Sequence, residues 1–195
     1  MFNDNPHLLT EAVMAGRKTQ ARYLVPESHL KAYNAYLAGM PNKPMKLGDY
    51  LVRAGLAKFI PGEEVAIAQS YESLNLAPDL IQRAKSHDKK TIRYVPISEL
   101  PGWKNKMYVS ADFMPHSVVI TAVRIERLQS ISEEDIRREG VIEMPSGGFG
   151  TSVKLDRSLG STAREAYATL INDLCDRSVW QRNPYVYVYD FRFVK

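Results

Sequence analysis

Hydrophobic and polar positions alternate most regularly in two stretches of the chain. In Ser117–Leu128, Val119, Thr121, Val123 and Ile125 alternate with Ile120, Ala122, Arg124 and Glu126. A period of two predicts a strand, with one buried face and a second face that turns polar midway. In Tyr185–Val194 every odd position is aromatic through Phe193, and Val186 and Val188 fall between them; this predicts the last strand. Thr19–Val25 predicts a shorter one that ends at Pro26, and Val65–Ser70 another after the Pro61-Gly62-Glu63-Glu64 turn. Helical spacing predicts helices over His7–Ala15, over much of residues 27–58 around a Pro41/Pro44 break, and behind Thr162-Ala163-Arg164-Glu165, a capping box. Ser132-Glu133-Glu134-Asp135 opens a helix with acids in its positive first turn, and Gly140 stops it. Pro78–Ala84 predicts a short helix that begins on proline. The mixture is α+β, with mostly antiparallel strands.

Composition adds bounds. The 195 residues suffice for one domain with a sizeable core, read as residues 1–195 with a helical insertion at 27–58. The apolar share is 45% and the charged share 25%, an ordinary globular balance. The apolar-rich run Val118–Val123 is too short to span a bilayer, and no leader pattern is seen, so the expectation is a cytoplasmic protein without a membrane partner. The single cysteine, Cys175, excludes an internal disulfide and is expected to pack as a small hydrophobe. The net charge of +4 is uneven: residues 1–110 carry 15 Lys/Arg against 10 Asp/Glu, and residues 111–195 carry 11 against 12. The excess concentrates in Arg83–Lys106, where Lys89, Lys90, Lys104 and Lys106 are phosphate-binding candidates or simply a solvated face. Trp103 and Tyr108 lie beside them as candidates for stacking a base.

The candidate chemistry centres on Gly16-Arg17-Lys18-Thr19-Gln20-Ala21-Arg22. Gly16 suits the end of a helix. Past it, strand alternation puts Lys18, Gln20 and Arg22 on one face and Arg17, Thr19 and Ala21 on the other. Such a face can meet an anion or a nucleobase; a solvated basic turn reads the same way. Glu139 ends its helix, where the dipole disfavours negative charge, a placement suited to proton transfer. The histidines lack metal-ligand spacing, and no phosphate loop or nucleophile elbow is present. No metal or cofactor is expected.

The heptad resembles the signature near the start of ASCH domains, members of the PUA-like superfamily. In that family a Gly-Arg-Lys-Thr-x-Thr-Arg run lines a central cleft. Leu128–Val141, Trp103 with Met114-Pro115, and Trp180 with Asn183-Pro184 before the aromatic strand are similar to phage-type ASCH proteins. The resemblance covers residues 2–25, 61–70, 103–141 and 162–194. It implies a small, partly open, mostly antiparallel β-barrel flanked by helices, with a cleft near Lys18, Arg22 and Glu139. In ASCH amidohydrolases acting on N4-acetylcytidine, a lysine, a threonine and a glutamate act together. By motif the lysine is Lys18 and the glutamate Glu139, but the threonine position is Ala21, which has no hydroxyl. The resemblance therefore implies first a protein that binds RNA or a modified nucleoside in a basic cleft, with Arg17, Lys18, Thr19, Gln20 and Arg22 as contacts. An amidohydrolase using Lys18 and Glu139 is the second reading, and a phage or mobile-element accessory protein with a protein partner is the third. The oligomeric state is left open.

Overall fold

The computed structural model describes residues 7–39, 42–85 and 92–194. The chain is α+β and divides into two compact units. The larger comprises residues flanking 66–117, and the smaller is built on residues 66–117 themselves.

In the larger unit, β1 (Gln20–Leu24), β8 (Tyr185–Phe193), β5 (Ser117–Arg127) and β2 (Glu64–Ala66) form, in that order, a four-stranded sheet. It curls into an open antiparallel half-barrel. The central strand is β8, antiparallel to both β1 and β5. Its residue pattern explains its place, because both faces are covered. On the odd face, Tyr189 meets Tyr23 and Phe59 edge to face, at ring-centroid distances of 5.7 and 5.3 Å. The segment carrying α2 (Glu27–Gly39) and α3 (Leu47–Arg53) lies over these rings. The Lys58 N–H donates to the Tyr189 hydroxyl at 3.0 Å, and the Tyr187 hydroxyl donates to the Leu56 carbonyl at 3.3 Å. The aromatic stripe is therefore largely core. Burial pushes the Tyr187 phenol up to about 12.

On the even face, Val186 and Val188 pack with Leu128, Ile131, Ile136, Tyr167, Leu170 and Ile171. These come from the turn that follows β5, from α4 (Glu133–Arg138) and from α5 (Ala163–Leu174). Burying each such aliphatic side chain contributes about 1.5–3 kcal/mol. Both helices start as their sequences require: Ser132 accepts from the Asp135 N–H, and Thr162 and Glu165 close the capping box.

One irregularity decides what this face presents. Val118, Val119 and Ile120 pair with Phe193, Arg192 and Phe191, but Ala122 pairs with Asp190, so Thr121 is an extra, bulged residue. A bulge switches the side-chain alternation. Val118 and Ile120 thus share the aromatic face of β8, whereas Arg124 and Glu126 share the face of Val188 and Val186. The uninterrupted alternation expected from the sequence holds only on each side of Thr121.

In the smaller unit, β3 (Ile81–Lys85) and β4 (Ile92–Pro96) form an antiparallel ribbon, followed by short 3-10 turns. The helix expected at 78–84 is not formed. A seven-residue helix is marginal alone, and Ile81–Lys85 instead takes its backbone partners across the ribbon. Ile67, Tyr71 and Ile97 are the buried centre of this unit.

Residues 142–150 form a hairpin, with β6 (Ile142–Glu143) paired to β7 (Phe149–Gly150). Two further expectations change. The strand expected over Val65–Ser70 is reduced to Glu64–Ala66. Cys175 is the exposed C-cap of α5 rather than a packed residue, because the helix ends one residue before it. Among the described residues no helix is long and apolar enough to cross a membrane.

Candidate functional site

Gly16, at φ +70°, closes α1 (Leu9–Met14) as its residue type requires. The Arg17 and Lys18 N–H groups both fold back to the Ala12 carbonyl at 2.9 Å, and the Thr19 N–H then reaches the Arg138 carbonyl at the end of α4, at 2.8 Å. These backbone bonds place Lys18 beneath Gly140. That residue sits at φ +101°, and a Cβ on it would lie 3.4 Å from the Lys18 Cβ. Glycine is favoured there by the positive φ that ends α4, and Lys18 packs against it at ordinary contact distance.

The result joins residues 121 positions apart. The Lys18 ammonium donates to the Glu139 carboxylate at 2.5 Å and to the Glu139 carbonyl at 2.8 Å. Both groups are buried; Lys18 is 4% exposed. Arg22 donates through Nη1 to Glu139 Oε1 at 2.9 Å and to the Gln20 side-chain amide oxygen, Oε1, and through Nη2 to Glu126 at 2.7 Å and Asp135 at 3.2 Å. The Gln20 amide donates to Asp135 at 3.0 Å and to Asp190 at 2.8 Å.

Over this inner set lies a second tier. Arg124 donates to Asp190 at 2.8 Å and Asp135 at 2.6 Å, and Arg138 donates to Asp190 at 2.6 Å. The Arg124 and Arg138 side chains are 38% and 36% exposed, whereas that of Arg22 is fully buried. The outer arginines therefore face water, and the inner residues do not.

The cluster is not a basic cleft. Lys18, Arg22, Arg124 and Arg138 are formally balanced by Glu126, Asp135, Glu139 and Asp190. Every carboxylate has a cation, and a buried charge demands one. Burial lowers the Lys18 pKa even against the pull of Glu139. For Arg22, burial is the largest single influence and opposes the charge, but Glu139, Tyr167 and the hydrogen bonds to Glu126 and Glu139 together outweigh it, and the guanidinium is held above its usual range. Among the described residues no His, Cys, Asp and Glu group is arranged to hold a metal ion.

No family model, curated protein or solved structure matches the chain.

Of the residues singled out from sequence, Lys18, Gln20, Arg22 and Glu139 come together. Thr19 joins their margin: its hydroxyl accepts from Arg138 Nε at 3.4 Å. It does not share the Ala21 face as expected, because the strand begins only at Gln20 and alternation does not extend back to Thr19. Ala21 pairs with Tyr189 and, by alternation, points to the aromatic face. Arg17 turns away and donates to the Thr151 carbonyl at 3.3 Å. Trp103, Lys104 and Lys106 lie on the 3-10 turns of the smaller unit; Trp103 is half-buried and Lys104 exposed. Lys89 and Lys90 lie outside the described residues.

Asp190, Asp135 and Arg138 were missed as site residues. Asp190 carried a signal, since it is the lone acid in a strand whose preceding even positions are valines. Arg124 and Glu126 were legible as polar, but only the bulge brings them to this face.

Asp135 makes the site sensitive to acid. Burial disfavours its ionisation, but the Gln20 hydrogen bond and the Arg124 and Arg22 guanidiniums outweigh it and hold the carboxyl below its ordinary 3.8. A folded value below the unfolded one adds stability that is complete above 3.8 and lost as pH falls through the folded value. Thermal melts should therefore hold a steady Tm down to about pH 5 and lose Tm steeply below the unfolded value. Asp135→Asn should shrink that acid limb; an unchanged acid limb in the variant would refute the assignment.

Proposed function

We propose that the chain is an ASCH-type, PUA-like protein whose half-barrel site binds an uncharged nucleoside, with a modified cytidine as the ligand class. The observation that carries this is the Lys18–Glu139 pair, set at 2.5 Å in a buried, charge-balanced cluster with Gln20 and Arg22. The heptad and the Leu128–Val141 segment on which the family resemblance rests meet at this cluster. The amide and guanidinium groups are the kind that read a base edge. The charge balance favours a neutral ligand, because a polyanion gains most where cations are unmatched. The ligand enters by exchanging with the half-exposed arginine pairs of the outer tier.

Titration calorimetry with cytidine, N4-acetylcytidine and a short RNA tests this. A nucleoside should bind, and Gln20→Ala should weaken it. Binding of RNA alone, unaffected by Gln20→Ala, would move the site to the lysines of the smaller unit.

A second reading is supported by Thr19. Its hydroxyl stands at the margin of the cluster, so the family's hydroxyl has a substitute although Ala21 supplies none. In this reading water adds to the acetyl carbonyl of N4-acetylcytidine and the C–N bond breaks. Glu139 and Lys18 pass the water proton to the departing amine, leaving acetate and cytidine. Acetate release from N4-acetylcytidine, reduced about 10²–10⁴-fold in Glu139→Gln, would make the protein a hydrolase. Binding without acetate release would leave it a binding protein.

A further inference from the structure

Two buried donors at this cluster have no hydrogen-bond partner among the described residues. Tyr167 projects from α5 into the packed layer of Ile136, Val186 and Val188, and is 1% exposed. Val188 is the cross-strand partner of Arg22 and of Arg124. The Tyr167 hydroxyl therefore lies in the field of Glu139 and Arg22, and burial first, then Glu139, raises its pKa well above the ordinary phenol value. It stays protonated and is a donor. Yet it has no hydrogen-bond partner among the described residues, and neither has the buried Nε of Arg22. The Lys18 ammonium has three protons and two acceptors, both on Glu139.

A buried donor without a partner bears its full desolvation cost, and such groups in native structures are normally satisfied. Two such donors at one cluster, with a Lys18 proton to spare, mark a place for an acceptor that does not come from the protein.

We propose that Tyr167 is a ligand-contacting residue, and that its hydroxyl, with Arg22 Nε and the Lys18 ammonium, receives a carbonyl oxygen of an uncharged ligand. This rests on the nucleoside reading and sharpens it. The cluster selects a ligand edge that offers acceptors without adding charge, such as the carbonyl edge of a pyrimidine or its acyl group. A free anion offers the same acceptors but would unbalance four cations matched to four carboxylates.

The test is Tyr167→Phe, measured by thermal melt and by calorimetry with cytidine, N4-acetylcytidine, acetate and inorganic phosphate. The ring is kept, and a hydroxyl with no protein partner is removed. The Tm of the free protein should hold or rise, while the nucleoside Kd rises about three- to ten-fold, as for one lost hydrogen bond. A lowered Tm with unchanged affinity would overturn the proposal and make the hydroxyl structural. Unchanged affinity with unchanged Tm would overturn it and leave the nucleoside reading standing. Phosphate or acetate binding that weakens in Tyr167→Phe, with no nucleoside binding, would keep Tyr167 as a ligand contact and overturn the uncharged ligand. No binding of any probe by the wild-type protein would overturn both.

Discussion

Arg22→Met should lower the unfolding free energy by about 3–5 kcal/mol, the cost of removing one partner from a buried ion pair. For a chain of this size that is a fall in Tm of roughly 6–20 °C. The reason lies in the count of partners. Among the described residues, Arg22 is the only one that bonds Gln20, Glu126, Asp135 and Glu139 at once. Methionine fills much of the same volume, so packing is largely kept and the loss is electrostatic. Glu139 retains Lys18, and Asp135 retains Arg124, but Glu126 is left with Arg124 at 3.3 Å. A contrast sharpens the result. Glu27 and Lys31 form an exposed i,i+4 pair on α2, and Lys31→Met should change stability by no more than about 0.5 kcal/mol. Chemical denaturation of both variants checks the pair of outcomes. Equal, small effects would mean that the buried network contributes nothing to the fold.

Ile136→Ala should cost about 2–5 kcal/mol, because Ile136 is fully buried and the cavity left behind adds to the lost burial. Its position makes the effect more than one of stability. Ile136 is the residue by which α4 grips the core, while Asp135, Arg138 and Glu139 on either side of it all belong to the charged cluster. Loosening the helix should move three site residues together. Ligand affinity in Ile136→Ala should therefore fall even though no ligand-facing group is altered, and Leu170→Ala, equally buried but on α5, should cost similar stability with less effect on affinity. Equal losses of affinity in the two variants would remove the link between α4 packing and site geometry.

How far the sequence reaches into this molecule depends on the range of the information. Local signals were legible: the capping box at Thr162, the acidic first turn after Ser132, Gly140 as the stop, and the period-two strands at Ser117 and Tyr185. The meeting of Lys18 with Glu139 was expected from a paired family resemblance, because nothing local links residues 121 apart. What escaped was set by partners distant in the chain. The bulge at Thr121 exists only relative to β8, and it reverses which side chains of β5 face the cluster. Ile81–Lys85 follows a proline that suits a helix start, yet pairing with Ile92–Pro96 overrides that preference. The charge of the cleft was misjudged for a similar reason. The heptad is rich in cations, but the acids that balance them come from β5, α4 and β8.

The most direct measurement is the salt dependence of nucleoside binding. Calorimetric Kd values for N4-acetylcytidine and for a short RNA, taken from about 50 to 200 mM salt, separate a charge-balanced site from a basic one. A site that reads an uncharged ligand releases no counterions, so log K should be flat against log salt for the nucleoside. A preference for the RNA, with log K falling against log salt with a slope of about −0.7 per neutralised phosphate on a single strand, would contradict it and assign the binding to unmatched cations elsewhere in the chain.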